Sequence, residues 1–109
     1  MKYFVRADFV DPGPLLPPQQ LAAVVENAVL PSLDTLGKWD AERRISGGLV
    51  TGARAFAFVI DASTNDELDK ILQGLPVWGL VSWQVTPLTS FADRIPRDRQ
   101  SAQQLKTMK

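Results

Sequence analysis

Residues 75–88 read LPVWGLVSWQVTPL, and two of the three tryptophans of the 109-residue chain fall within this stretch. From Val81 the residues alternate as a strand does. Val81, Trp83 and Val85 share one face. The preceding segment, STNDELDKILQGL (63–75), has the opposite periodicity. Leu68, Ile71, Leu72 and Leu75 recur at the i, i+3, i+4, i+7 spacing of a helix. Thr64, with Glu67 three residues later, makes a capping box at its start. Gly74 and Pro76 close it. A helix therefore runs directly into a final, strongly apolar strand.

Moving toward the N-terminus, ARAFAFVID (53–61) reads as a strand. Phe56, Phe58 and Ile60 lie on one face, with Ala55, Ala57 and Val59 on the other. TGAR is a turn. RRISGGLV (43–50) is an earlier strand, where Gly47 and Gly48 signal a bulge or a close backbone approach. KYFVRADFV (2–10) opens the chain as a strand. Tyr3, Val5, Ala7 and Phe9 face one way, and Phe4, Arg6, Asp8 and Val10 the other. DPGPLLPP (11–18), with four prolines in eight residues, stops it. From Pro18 the spacing of Leu21, Val25, Ala28, Ser32 and Leu36 predicts a helix. Pro31, which cannot donate to the Asn27 carbonyl, predicts a kink or short break. Gly37 predicts the helix end.

The order β-α-β-β-α-β is the ferredoxin-like plan, α+β, with one antiparallel four-stranded sheet and two helices on one face. We expect one such domain over 1–91 and a polar arm or disordered end over 92–109. The bare sheet face should carry Phe4, Val10 and either the phenylalanine or the alanine row of the third strand. A largely apolar face of that size predicts pairing with a second copy, so at least a homodimer.

Composition narrows the function. There is no cysteine, which removes disulfides and thiolate metal sites and fits the reducing cytoplasm. There is no histidine, the commonest metal ligand and neutral-pH base. Arg6 and Asp8 interrupt any secretory-leader pattern. No segment has the length of a membrane span. Twelve basic and twelve acidic residues cancel, and residues 92–109 hold five basic against two acidic groups. That excess is too small to predict nucleic-acid binding.

The stretch WDAERRISGG (39–48) resembles the muconolactone isomerase family. In that family the first helix ends in Gly-x-Trp, followed by Arg-Ile-small-Gly. Gly37, Trp39, Arg44, Ile45, Ser46 and Gly47 stand at those places. Leu75, Pro76, Val77 and Trp78 match the family's Leu-Pro-apolar-aromatic step into the last strand. The resemblance covers about residues 2–88. It implies a dimeric α/β barrel, larger rings in which the C-terminal arm crosses to a neighbour, and a double-bond shift in an unsaturated lactone carrying a carboxylate. No metal or organic cofactor is implied. The family's next residue is a histidine, and here it is Gly48. The following hairpin is also several residues longer.

Such a reaction needs a cation for the substrate carboxylate, a base at the ring face and a dry pocket that raises the base's pKa. Arg44 is the candidate cation, able to grip a carboxylate with two parallel hydrogen bonds. Glu26, beside the apolar stripe of the first helix and near the place of a family glutamate, is the candidate acid/base. Trp39, Trp78 and Trp83 are candidate pocket walls for a small-molecule ligand. Two other functions stay open. One is a non-catalytic oligomeric ligand-binding or assembly protein. The other is a cofactor-free monooxygenase on the same fold.

Overall fold

A computed structural model of the chain describes residues 1–10 and 16–108. Its elements are β1 (Lys2–Phe9), α1 (Pro18–Val24), a π-helical turn (Val25–Val29), α2 (Leu30–Ala41), β2 (Ile45–Leu49), β3 (Ala55–Asp61), α3 (Asn65–Gln73), a 3-10 turn (Trp78–Leu80), β4 (Val81–Leu88) and α4 (Phe91–Thr107). The four strands form one antiparallel sheet in the order β2-β3-β1-β4. The fold is α+β and ferredoxin-like, as the order of elements predicts. Residues 11–15 of the proline-rich stop lie outside the described residues.

The register assigns the faces. Tyr3, Val5 and Ala7 pair with Ile60, Phe58 and Phe56. All six are buried beneath the helices, with Leu36 from α2 and Leu68 and Leu72 from α3. The stretch 75–88 divides between uses. Leu75, Val77 and Val81 are core, while Trp78–Leu80 makes the turn into β4. Two polar contacts, the first buried and the second half-buried, lock the helices down. Ser32 Oγ accepts the Val77 N–H at 3.1 Å, and Tyr3 donates its hydroxyl to Asn65 Oδ1 at 2.6 Å.

Three local expectations change. First, the kink or short break expected at Pro31 takes the form of a π turn just before it. The turn before it widens to π geometry, with the Leu30 N–H reaching the Val25 carbonyl. The extra residue in the turn accommodates the missing Pro31 N–H, and the rod continues. Second, Gly37 does not end the helix, which runs on through Ala41. An interior glycine costs only about 1 kcal/mol, and buried Leu36 with half-buried Trp39 holds the last turns down. Third, of the two forms expected for the C-terminal segment, an arm or a disordered end, residues 91–107 take that of a helix. Ser90 caps the helix by accepting the Asp93 N–H at 3.0 Å, and Arg94 pairs with Asp98 one turn on at 2.8 Å. No residue of α4 is buried. The radius of gyration, 18.8 Å, exceeds the roughly 13 Å of a compact chain of this length, as a projecting helix requires.

The open sheet face is more polar than its expected description. It shows the alanine row, not the phenylalanines. Arg6 faces Ala57 and Gln84, and Phe4 faces Val59 and Thr86. Arg6 Nε and Nη2 each donate to Asp8 at 3.0 Å across the middle of this face.

Candidate functional site

The principal cavity lies at the end of the sheet where β1 finishes and the β2–β3 hairpin turns. Its volume is about 770 Å³, within the usual range of small-molecule sites. The helical rod supplies one wall through Leu21, Val24, Val25 and Val29. The hairpin supplies the facing wall through Leu49, Val50, Ala53 and Arg54. Phe9 and Val10 at the end of β1, with Gly79 and Leu80 before β4, complete it. The π turn contributes here directly, since two of its residues, Val25 and Val29, face the cavity.

Arg54 is the one charged side chain among the described residues of this wall. Its backbone carbonyl accepts the Phe9 N–H at 2.9 Å, and its guanidinium carbon lies 6.0 Å from the Phe9 ring centre. Phe9 in turn meets Phe56 edge to face at 6.0 Å, and Phe56 meets Trp83 edge to face at 5.9 Å. This aromatic row fixes the position of the wall from behind.

The residues singled out from the sequence occupy other places. Arg44 lies with its guanidinium carbon 4.9 Å from the centre of the Trp39 ring, at the far end of the rod. Leu49 in the cavity wall is the fifth residue after it, about 17 Å of strand. Glu26 is exposed and immediately follows Val25 in the cavity wall. It stands thirteen residues before Trp39, about 20 Å along the helix. Within one chain, Glu26 and Arg44 therefore do not meet across a single small molecule. Trp83 donates its ring N–H to the Trp78 carbonyl at 3.1 Å. It supports the wall through Phe56, and Trp78 precedes the lining residues Gly79 and Leu80. None of the three tryptophans lines the cavity.

Sequence reasoning passed over Arg54, reading it as part of the turn TGAR and of the start of the strand 53–61. The available signal was the lengthened hairpin, which carries this arginine to the sheet end.

A second, smaller cavity of about 270 Å³ lies between α2 and β2, with Asp40 at its edge and Phe56 and Phe58 at its base. Among the described residues no cluster of three or more acidic side chains is arranged to hold a metal ion. No helix among them is long and apolar enough to cross a membrane.

The family model for muconolactone delta-isomerase matches residues 1–94. The chain belongs to that family. The match spans β1 through the start of α4, so it includes every element that builds the cavity. A comparison with curated proteins finds no significant match.

Proposed function

We propose that this member of the muconolactone delta-isomerase family is a cofactor-independent isomerase acting on a small unsaturated molecule that carries a carboxylate. The observation that carries the reading is the 770 Å³ apolar cavity built by elements inside the region that the family model matches. The apolar walls exclude water from the reacting carbons. Glu26, next to the lining residue Val25, takes the proton from one carbon. A proton returned at the far end of the allylic system completes the double-bond shift. Glu26 is exposed in a single chain, so this reading has substrate or a second copy cover it.

Self-association belongs to the same proposal. Phe91 is 89% exposed on α4, with Ile95 and Leu105 also exposed along the helix. Apolar side chains on a helix that buries nothing of its own support an arm that docks on another copy.

A non-catalytic ligand-binding protein is the second reading. It is favoured by the absence of any carboxylate among the described lining residues and by Gly48 at the place of the family's histidine.

The test is proton exchange followed by NMR in deuterated water, with unsaturated lactone carboxylates as substrates. Deuterium should enter the substrate, and Glu26→Gln should slow entry by about 10²-fold or more, as loss of a general base does. Exchange that is absent with wild-type protein, although the same molecules bind, would select the second reading.

A further inference from the structure

We propose that the pocket of about 270 Å³ between α2 and β2 is a second binding site, for a small organic cation. Its ligand is a primary amine on a single-ring apolar body, with Asp40 pairing the ammonium group and Phe56 and Phe58 receiving the ring. Among the described lining residues the pocket shares only Leu49 with the sheet-end cavity. The proposal does not depend on the isomerase reading.

The shape of the pocket comes from glycine. Gly37 on α2 and Gly48 on β2 both line it, and a Cβ on either would meet nothing within 4 Å. Helix and strand thus bound the space without projecting a side chain at these positions, in a layer that is elsewhere closely packed. The volume equals that of about nine liquid waters at roughly 30 Å³ each. That is room for one ring and a short chain.

The base of the pocket is aromatic. The Phe56 and Phe58 rings lie 6.2 Å apart with only 6° between their planes, and Leu36 borders them from α2. An apolar ring gains by leaving water for such a surface.

The charge at the edge sets the sign of the ligand. Asp40 is the one charged side chain among the described lining residues. Among the described residues its carboxylate takes no hydrogen bond and no ion pair. Its backbone carbonyl alone is engaged, by the Arg43 amide at 3.0 Å. The nearby Arg44 guanidinium is turned onto the Trp39 ring. Asp40 also stands in the last turn of α2, where the helix dipole adds negative potential and favours a cation. An anion would meet both negative charges. A polyol would bury hydroxyls against Phe56, Phe58 and Leu36 without partners. An amine on an apolar ring meets neither penalty, because its ammonium stays at the rim beside Asp40 and within reach of water.

The experiment is an amide NMR titration of the full chain with phenethylamine, phenethyl alcohol and phenylacetate at one ionic strength. Phenethylamine should shift the amides of residues 36–40 and 45–49 with saturation. It should bind about three- to tenfold more tightly than the alcohol, as a charge pair at a partly wet rim allows. Phenylacetate should bind more weakly than the alcohol. Asp40 is exposed, so its variants keep the fold, which their amide spectra verify. Asp40→Asn should bring the amine down to the affinity of the alcohol and leave the alcohol unchanged, and Asp40→Glu should keep part of the preference. Shifts that do not saturate, shifts confined to residues 21–29 and 50–55, equal affinity for amine and alcohol, or an amine preference that survives Asp40→Asn would each overturn the proposal.

Discussion

The Arg44 amide donates to the Trp39 carbonyl at 2.8 Å, and the Arg44 guanidinium carbon lies 4.9 Å from the centre of the Trp39 ring. With the Arg43 amide bonded to the Asp40 carbonyl at 3.0 Å, this is a Schellman cap. Two amides beyond the helix end bond back to its last free carbonyls. The usual apolar contact that accompanies such a cap is here a cation over an indole. Trp39 and Arg44, two of the residues that mark the family, thus also end the helix and start β2.

The cap carries an internal strain that can be measured. Arg43 has φ 61°, the left-handed conformation, which costs a side-chain-bearing residue about 1–2 kcal/mol. Glycine adopts it freely. Arg43→Gly should therefore stabilise the chain by about 0.5–1 kcal/mol, read as a higher urea midpoint at unchanged slope. A lower midpoint would mean that the arginine side chain makes a contact worth more than the strain.

Ser32 and Val77 supply a prediction of the opposite sign. Ser32 is 1% exposed and its Oγ accepts the N–H of Val77, which is fully buried. Ser32→Ala leaves that buried donor without its partner and should cost about 1–3 kcal/mol. Ser32→Thr keeps the acceptor and adds a methyl group, so it separates loss of the hydrogen bond from overpacking. Equal stability of wild type and Ser32→Ala by denaturant titration would show that another acceptor takes the Val77 N–H.

How much of this was legible in the sequence depends on the range of the interaction. The strand faces follow from alternation alone, and Thr64 accepting the Glu67 N–H at 3.1 Å is the capping box written at residues 64–67. Local signals misled where tertiary contacts outweighed them. Gly37 looked like a stop, yet Leu36 and Trp39 pack against the core and carry the helix past it. Pro31 announced a kink or short break, and the irregularity is one wider turn before it. The cavity was hardest to foresee. It depends on the hairpin and the first half of the rod meeting at one end of the sheet, and no periodicity encodes that meeting. The tryptophans drew attention to the aromatic row behind the wall, whereas the charged group in the wall is Arg54.

Gly47 and Gly48 are adjacent but differ sharply in what they permit. A Cβ on Gly47 would collide with the Ala57 carbonyl oxygen and the Cα and Cβ of Phe58, whereas one on Gly48 meets nothing within 4 Å. Gly47→Ala should push β2 from β3 and cost about 1–3 kcal/mol, as overpacking does. Gly48→Ala should be neutral or stabilise by up to about 1 kcal/mol, because alanine loses less freedom on folding. Thermal melts of the two variants side by side check this. A similar loss in both would mean that strand flexibility, not close approach, sets the need for glycine. Gly48→His, which restores the family's residue, should likewise fold.

Two carboxylates make the stability fall in acid. The Asp8 carboxyl is held below its ordinary value of 3.8, first by hydrogen bonding from Arg6 and also by its charge, with desolvation opposing. The Glu67 carboxyl is held below 4.5, first by hydrogen bonding from the Ser63 side chain and then by the Ser63 backbone N–H, which reaches it at 2.6 Å. In both, the folded chain prefers the ionised form more than the unfolded chain does. Their contributions are therefore complete above the ordinary values. They fade as pH falls from about 5, because the unfolded state takes up protons first, and are gone below the depressed folded values. Both groups are exposed, so each effect is modest. Asp8→Asn and Glu67→Gln should lower the urea midpoint near neutral pH, and each gap to wild type should close on acidification. A gap of constant size down to about pH 3 would place the loss in packing or capping geometry and not in proton linkage.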